Sequence, residues 1–268
     1  MAPHVNYEAV AEVFDLMRTE TLDGRSMSEI VGGGSPMSLA IHFMGILVEQ
    51  AGLESGDRVL DIGCGCGRLA AALTQHLGPQ ASYVGVDIVA GLVDFANRHI
   101  PWRHPNFRFV TLQQGNPAYD AIRHDGESPT IASLDDACAP QTVDLCIATS
   151  LFTHFDTEMA RTALKAMRRA LAPDGRAFIS LFLLDAGVRA LIGRGGAAFQ
   201  FEHRYADGVF VQNLGRPLEA LAFTSGHFID LLSEHGLYVE RALYGRWPGR
   251  AGCVSGQDIL IVRRMPGG

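Results

Sequence analysis

Short apolar runs bounded by turn residues alternate along this chain with longer stretches of helical periodicity. Val59, Leu60 and Ile62 form one such run, closed by Gly63, Gly65 and Gly67, and similar runs recur at 81–88, 106–112, 142–148, 176–182, 237–244 and 257–262. Runs of this length, rich in β-branched and aromatic residues, predict buried strands. Between them, apolar residues at helical spacing predict helices over 69–77, 89–98, 157–171 and 223–235. Gly78-Pro79 and Pro173-Asp174-Gly175 supply stops after two of these helices. Ahead of the first strand, Val10, Val13, Phe14 and Met17 predict an amphipathic helix, and a second helix is expected from Met37 to about Ala51, with Ser35 as its cap and Pro36 in its first turn. The pattern predicts an α/β fold: seven strands in a mostly parallel sheet, helices on both faces, and an N-terminal helical flank.

The regular alternation breaks after the fifth strand. From Leu184 to about Ala222, the segments 199–205 and 208–212 flank Ala206-Asp207 and read as two short strands, so this stretch is an insertion. We expect one domain over 1–268: a helical flank at 1–52, a ligand-binding core at 53–183, an insertion or acceptor cap at 184–222, and a C-terminal helix with strands at 223–268. The polar segment 120–140, with turn signals at Asp125-Gly126 and Ser128-Pro129, is expected to be a long surface connection.

With 47% apolar residues, 268 residues suffice for one large core. A formal charge of −7 gives no general pull toward nucleic acid or an anionic membrane. No apolar run approaches the length of a membrane span, and the first residues lack the basic and apolar regions of a signal peptide, so a cytoplasmic location is expected. Oligomeric state is not legible. The five cysteines, at 64, 66, 138, 146 and 253, are an odd number and are expected to be reduced. Cys64 and Cys66 lack a second pair or a histidine cluster to complete a metal site, and small side chains suit a tight turn.

The glycine turn carries the chemistry, because glycine lets backbone approach a ligand closely. The dinucleotide pattern G-x-G-x-x-G requires a glycine at position 68, which is Arg68, whereas D-x-G-x-G-x-G fits from Asp61 to Gly67. The run V-L-D-I-G-C-G-C-G-R-L-A resembles the first motif of class I S-adenosylmethionine-dependent methyltransferases. L-A-P-D-G-R-A-F-I-S resembles another methyltransferase signature, and Y-V-G-V-D-I, S-L-F-T-H-F and S-G-Q-D-I-L-I resemble the pattern of bacterial members that act on small molecules, some of them in secondary metabolism. The resemblance implies a Rossmann-like sheet, S-adenosylmethionine as cofactor and a small-molecule acceptor, with no nucleic-acid or membrane partner.

In that family the glycine loop cups the methionine half of the cofactor, which implies Asp61, Gly63, Cys64 and Gly65 for that end. Asp87, about 20 residues beyond the turn, with Ile88 beside it, is the candidate for the ribose hydroxyls; capping of the next helix is the structural alternative. Gln113 and Gln114 stand where the family places its adenine acceptor. This departs from the usual Asp, and an amide oxygen accepts the same bond more weakly. Thr149 and Ser150, after the fourth strand, are expected to close the floor. His154 is the candidate general base for a hydroxyl acceptor, with packing between Phe152 and Phe155 as the alternative. Asp185, His203, Tyr205 and His227 are further acceptor-side candidates. No metal is expected. The expected reaction is methyl transfer to a small molecule, at a hydroxyl oxygen. A non-catalytic cofactor-binding subunit and a nicotinamide oxidoreductase are the competing readings.

Overall fold

The strand Arg58–Ile62 leads directly into the glycine turn and sits among strands buried on both faces, with Val59, Leu60, Asp61 and Ile62 all buried. The structure is a computed structural model that describes residues 6–32, 34–113 and 126–266. Its large mixed sheet has eight strands among the described residues and is flanked by helices. The chain forms two compact units, 1–145 and 146–268.

In the first unit Arg58–Ile62, Ser82–Asp87, Phe107–Leu112 and Thr130–Ile131 pair parallel in that order. Buried parallel strands carry near-continuous apolar runs, which is why these segments read clearly in the sequence. Tyr83 stacks on Phe107 with ring centroids 4.9 Å apart. The helix Tyr7–Thr19 buries Val10, Phe14 and Met17 at helical spacing. The helix Pro36–Gln50 begins as expected: the Ser35 side chain accepts from the Ser38 amide and Pro36 occupies the first turn.

In the second unit Leu237–Leu243, Asp258–Arg264 and Leu171–Leu181 pair antiparallel. The helix Thr157–Ala170 is capped by Asp156, which accepts from the Met159 amide, and buries Ala160, Ala163, Leu164 and Met167. A separate four-stranded sheet joins His203–Ala206, Val209–Val211, Leu221–Thr224 and Leu183–Leu184.

All seven expected strands are present. The eighth, Thr130–Ile131, lies within the segment expected to be a surface connection, of which residues 126–140 are described; it is held by backbone bonds from Thr111 N to Pro129 O and from Gln113 N to Ile131 O. Two boundaries also differ. Phe223 belongs to a strand, and the helix begins at Ser225, because Leu221–Thr224 finds partners on both sides. After Ala170 the chain runs straight into the strand Leu171–Leu181, so Pro173-Asp174-Gly175 is extended and lies ahead of the pairing with Asp258–Arg264, which starts at Arg176. The first glycine-turn helix is short, Arg68–Leu73, and the insertion contains an unexpected helix, Ala186–Ile192, capped by Asp185. No helix among the described residues is long and apolar enough to cross a membrane.

Candidate functional site

Gly63, Gly65 and Gly67 all adopt left-handed backbone, with φ of 78°, 55° and 76°, a conformation that any side chain strains. The turn is tied down by the neighbouring strand: the Gly63 and Cys64 amides donate to Val86 O at 2.8 and 3.1 Å. The Gly65 amide donates to Asp87 Oδ2 at 2.8 Å, and the Val89 amide to Asp87 Oδ1 at 2.9 Å. Asp87 thus ties the glycine turn to Val89, the residue before the helix Ala90–His99, which has no side-chain cap bond. Each carboxylate oxygen has a second lone pair for a further donor. A Cβ on Gly65 would come within 2.8 Å of Val31 Cγ1, so the segment ahead of the helix Pro36–Gln50 packs against the turn.

The electrostatics of Asp61 set it apart. Its Oδ2 accepts from the Tyr83 hydroxyl at 2.5 Å, while Oδ1 is buried and has no hydrogen-bond partner among the described residues. Burial pushes the Asp61 carboxyl up to about 7, against the pull of the Tyr83 bond; the Asp87 carboxylate adds to the rise and Arg68 opposes it. Burial also raises Asp87 above the ordinary carboxylate range, while the Val89, Gly65 and Ile88 amides pull it back. An orphaned buried carboxylate oxygen is costly, and a ligand ammonium would satisfy it. Burial pushes the Cys66 thiol up to about 12 and Cys64 well above its ordinary range, so both thiols are protonated and pack within the turn.

The first unit therefore brings together Asp61, Gly63, Cys64, Gly65 and Asp87, with the half-buried Ile88 next in chain. Gln113 is exposed just beyond the strand Phe107–Leu112, in which Thr111 is in register with Asp87. Gln114 lies outside the described residues. Sequence reasoning missed the Tyr83 partner of Asp61; a tyrosine within an apolar strand was the available signal, since a buried hydroxyl needs a partner.

In the second unit, Thr149 and Ser150 follow the strand Val143–Ala148. Ser150 holds a φ of +57°, and such strain in a non-glycine residue persists where surrounding bonds over-determine it. Here the Ser150 amide donates to Ser180 Oγ at 2.7 Å, and the Ser150 and Ser180 hydroxyls both donate to Gln257 Oε1, at 3.1 and 2.6 Å. His154 ends the short 3-10 turn Phe152–His154, and its Nδ1–H donates to Leu218 O at 2.9 Å. That bond makes Nε2 the unprotonated nitrogen. Burial lowers the His154 pKa below the ordinary histidine value, with the Leu218 bond opposing, so the ring is a neutral base at neutral pH. Phe152 packs edge-on to Phe155 and Phe228, which fixes the turn that carries His154. Of the other acceptor-side candidates, Asp185 is a helix cap accepting from the Val188 amide, His203 and Tyr205 are exposed, and His227 Nε2 lies 3.3 Å from Thr157 Oγ1.

Residues 60–177 match the family model described as a methyltransferase domain. Demethylmenaquinone methyltransferase of Symbiobacterium thermophilum is 29% identical over 115 residues, 43% of this chain and 43% of that protein. Protein-L-isoaspartate O-methyltransferase 1 of Archaeoglobus fulgidus is 36% identical over 110 residues, 41% of this chain and 50% of that protein. The chain thus spans half or less of the length of these curated relatives. Among solved structures, the 1,6-didemethyltoxoflavin-N1-methyltransferase of Burkholderia thailandensis, bound to 1,6-didemethyltoxoflavin and S-adenosylhomocysteine, aligns over 99% of this chain and 91% of that one, at 20% identity and a TM-score of 0.55. An O-methyltransferase assigned in Nostoc punctiforme aligns over 96% and 68%, at 17% identity and a TM-score of 0.55. These two structural likenesses carry the fold.

Proposed function

We propose that this chain, whose residues 60–177 match a family model described as a methyltransferase domain, is a class I S-adenosylmethionine-dependent methyltransferase that transfers a methyl group to a hydroxyl oxygen of a small-molecule acceptor. The observation that carries the cofactor assignment is the buried Asp61 Oδ1, which has no hydrogen-bond partner among the described residues and lies next to a turn of three glycines in left-handed backbone. The ammonium of a bound methionine moiety would complete that carboxylate, with Gly63, Cys64 and Gly65 next to its chain.

The remaining lone pairs of Asp87 accept the ribose hydroxyls, with Ile88 against the sugar, and Gln113 and Gln114 take the adenine edge. Thr149 and Ser150 keep their expected part in the floor on the strand-end argument. The cofactor supplies a methyl carbon activated by its positive sulfonium; the chain holds groups in line, a contribution on the order of 7–11 kcal/mol. His154 Nε2 receives the acceptor's hydroxyl proton, an effect of roughly 10²- to 10⁴-fold. The neutral ring with Nε2 unprotonated supports this role, and with it O-methylation.

The test is incubation with S-adenosylmethionine and a pool of hydroxylated small molecules, followed by mass spectrometry. A mass gain of one methylene on an acceptor, matched by S-adenosylhomocysteine, is the expected result. Cofactor binding with no transfer to any member of a broad pool counts for the non-catalytic reading.

A further inference from the structure

The second unit contains a cleft of about 530 Å³, within the range of small-molecule sites. Its apolar walls are Phe182, Phe199 and Trp247, and its polar side chains are Arg246, Arg250 and Gln257. The walls pack against one another. Phe182 lies 4.8 Å from Phe199 and 5.2 Å from Trp247 between ring centroids, and the Trp247 indole N–H donates to the buried Asp258 at 2.8 Å. Phe199 is only half-buried, so part of its ring is left for a ligand.

The polar groups of this cleft share one character. Gln257 Oε1 is occupied by the Ser150 and Ser180 hydroxyls, so its amide presents Nε2, a donor. Arg246 is exposed, and no hydrogen bond or ion pair of its guanidinium is found among the described residues. Arg250 is partly neutralised: its guanidinium lies over Tyr244 and 3.5 Å from Asp258 Oδ1. Asp258 itself is buried and accepts from the Leu183 and Gly245 amides and from Trp247, so it presents no competing anion. A cleft with aromatic walls whose side-chain polar groups are all donors favours an anion.

We propose that this cleft binds a planar aromatic carboxylate, its ring against Phe199 and Phe182 and its carboxylate on Arg246 and Gln257 Nε2.

Calorimetric titration of the full chain with 2-naphthoate and with 2-naphthamide tests the cleft. The pair differs in charge and hardly in shape. A guanidinium–carboxylate pairing predicts at least roughly tenfold tighter binding of the acid. Arg246→Gln should bring the acid to the level of the amide, and Arg246→Lys should keep part of the preference. Arg246 is exposed, so an unchanged thermal midpoint verifies that the variants fold. Equal affinity for the two probes, no binding of either, or a preference that survives Arg246→Gln overturns the proposal. S-adenosylhomocysteine titrated into the wild type in parallel separates the two claims: its binding without acid preference removes the cleft assignment alone, and acid preference without its binding removes the methyl-transfer reading alone.

Discussion

Replacing Asp61 with Asn should move stability and cofactor affinity in opposite directions. A carboxyl whose folded pKa is raised above its unfolded value contributes stability that is fully present below the unfolded pKa and lost as pH rises through the folded one. With Asp61 pushed from 3.8 up to about 7, that loss spans roughly pH 4 to 7, and between pH 5 and 8 it amounts to roughly 3 kcal/mol at most, at about 1.36 kcal/mol per pH unit. An asparagine keeps an acceptor for the Tyr83 hydroxyl and does not ionise. Thermal melts of the ligand-free protein should therefore show the wild type falling relative to Asp61→Asn as pH rises from 5 to 8, by about 6–12 °C at most. At pH 8 the same variant should bind S-adenosylmethionine about 10- to 100-fold more weakly, having lost a charged partner for the ammonium. Wild-type affinity should weaken as pH drops below about 7, since a protonated Asp61 must release its proton to pair. Parallel melting curves for the two proteins would refute the assigned burial of charge, and equal cofactor affinities would refute the role given to Oδ1.

Asp87→Ala removes the acceptor of the Gly65 and Val89 amides; it should weaken S-adenosylmethionine binding by at least about tenfold and lower stability by about 1–3 kcal/mol for each amide left unpaired, read by calorimetry and urea unfolding. His154→Ala should slow turnover by roughly 10²- to 10⁴-fold while leaving the cofactor Kd near wild type. Because burial lowers its pKa, the acid limb of kcat should lie below the ordinary histidine value of 6.5, and a limb above it would count against His154. Gly85→Ala, which sets a Cβ within 2.6 Å of Phe109 Cδ1 and 2.9 Å of Cys64 Sγ, should cost about 1–3 kcal/mol by overpacking, measured as a lower melting temperature.

Most of the fold is legible in the chain because strands buried on both faces leave continuous apolar runs, and because Ser35-Pro36 is a local start signal. What was illegible depends on non-local pairing. Thr130–Ile131 joins the sheet through backbone bonds, and its two residues carry no period to detect. Phe223 sits in an apolar stretch that reads as helix, but Leu221–Thr224 pairs with Val209–Val211 and Leu183–Leu184. For the candidate site, the Asp61-to-Gly67 turn and Asp87 were visible as residue types at a spacing. The Tyr83–Asp61 bond arises from adjacent parallel strands whose register no local pattern records. Likewise the donor-lined cleft is assembled from Phe182, Phe199 and the 246–257 segment, each unremarkable alone.

The glycine turn beside Asp61 is the proposed seat of S-adenosylmethionine. Calorimetric titration of the wild-type chain with S-adenosylmethionine, and separately with reduced nicotinamide dinucleotide, tests it most directly. Saturable one-site binding of S-adenosylmethionine and no heat from the dinucleotide is the predicted result; binding of the dinucleotide, or none of S-adenosylmethionine, would contradict it.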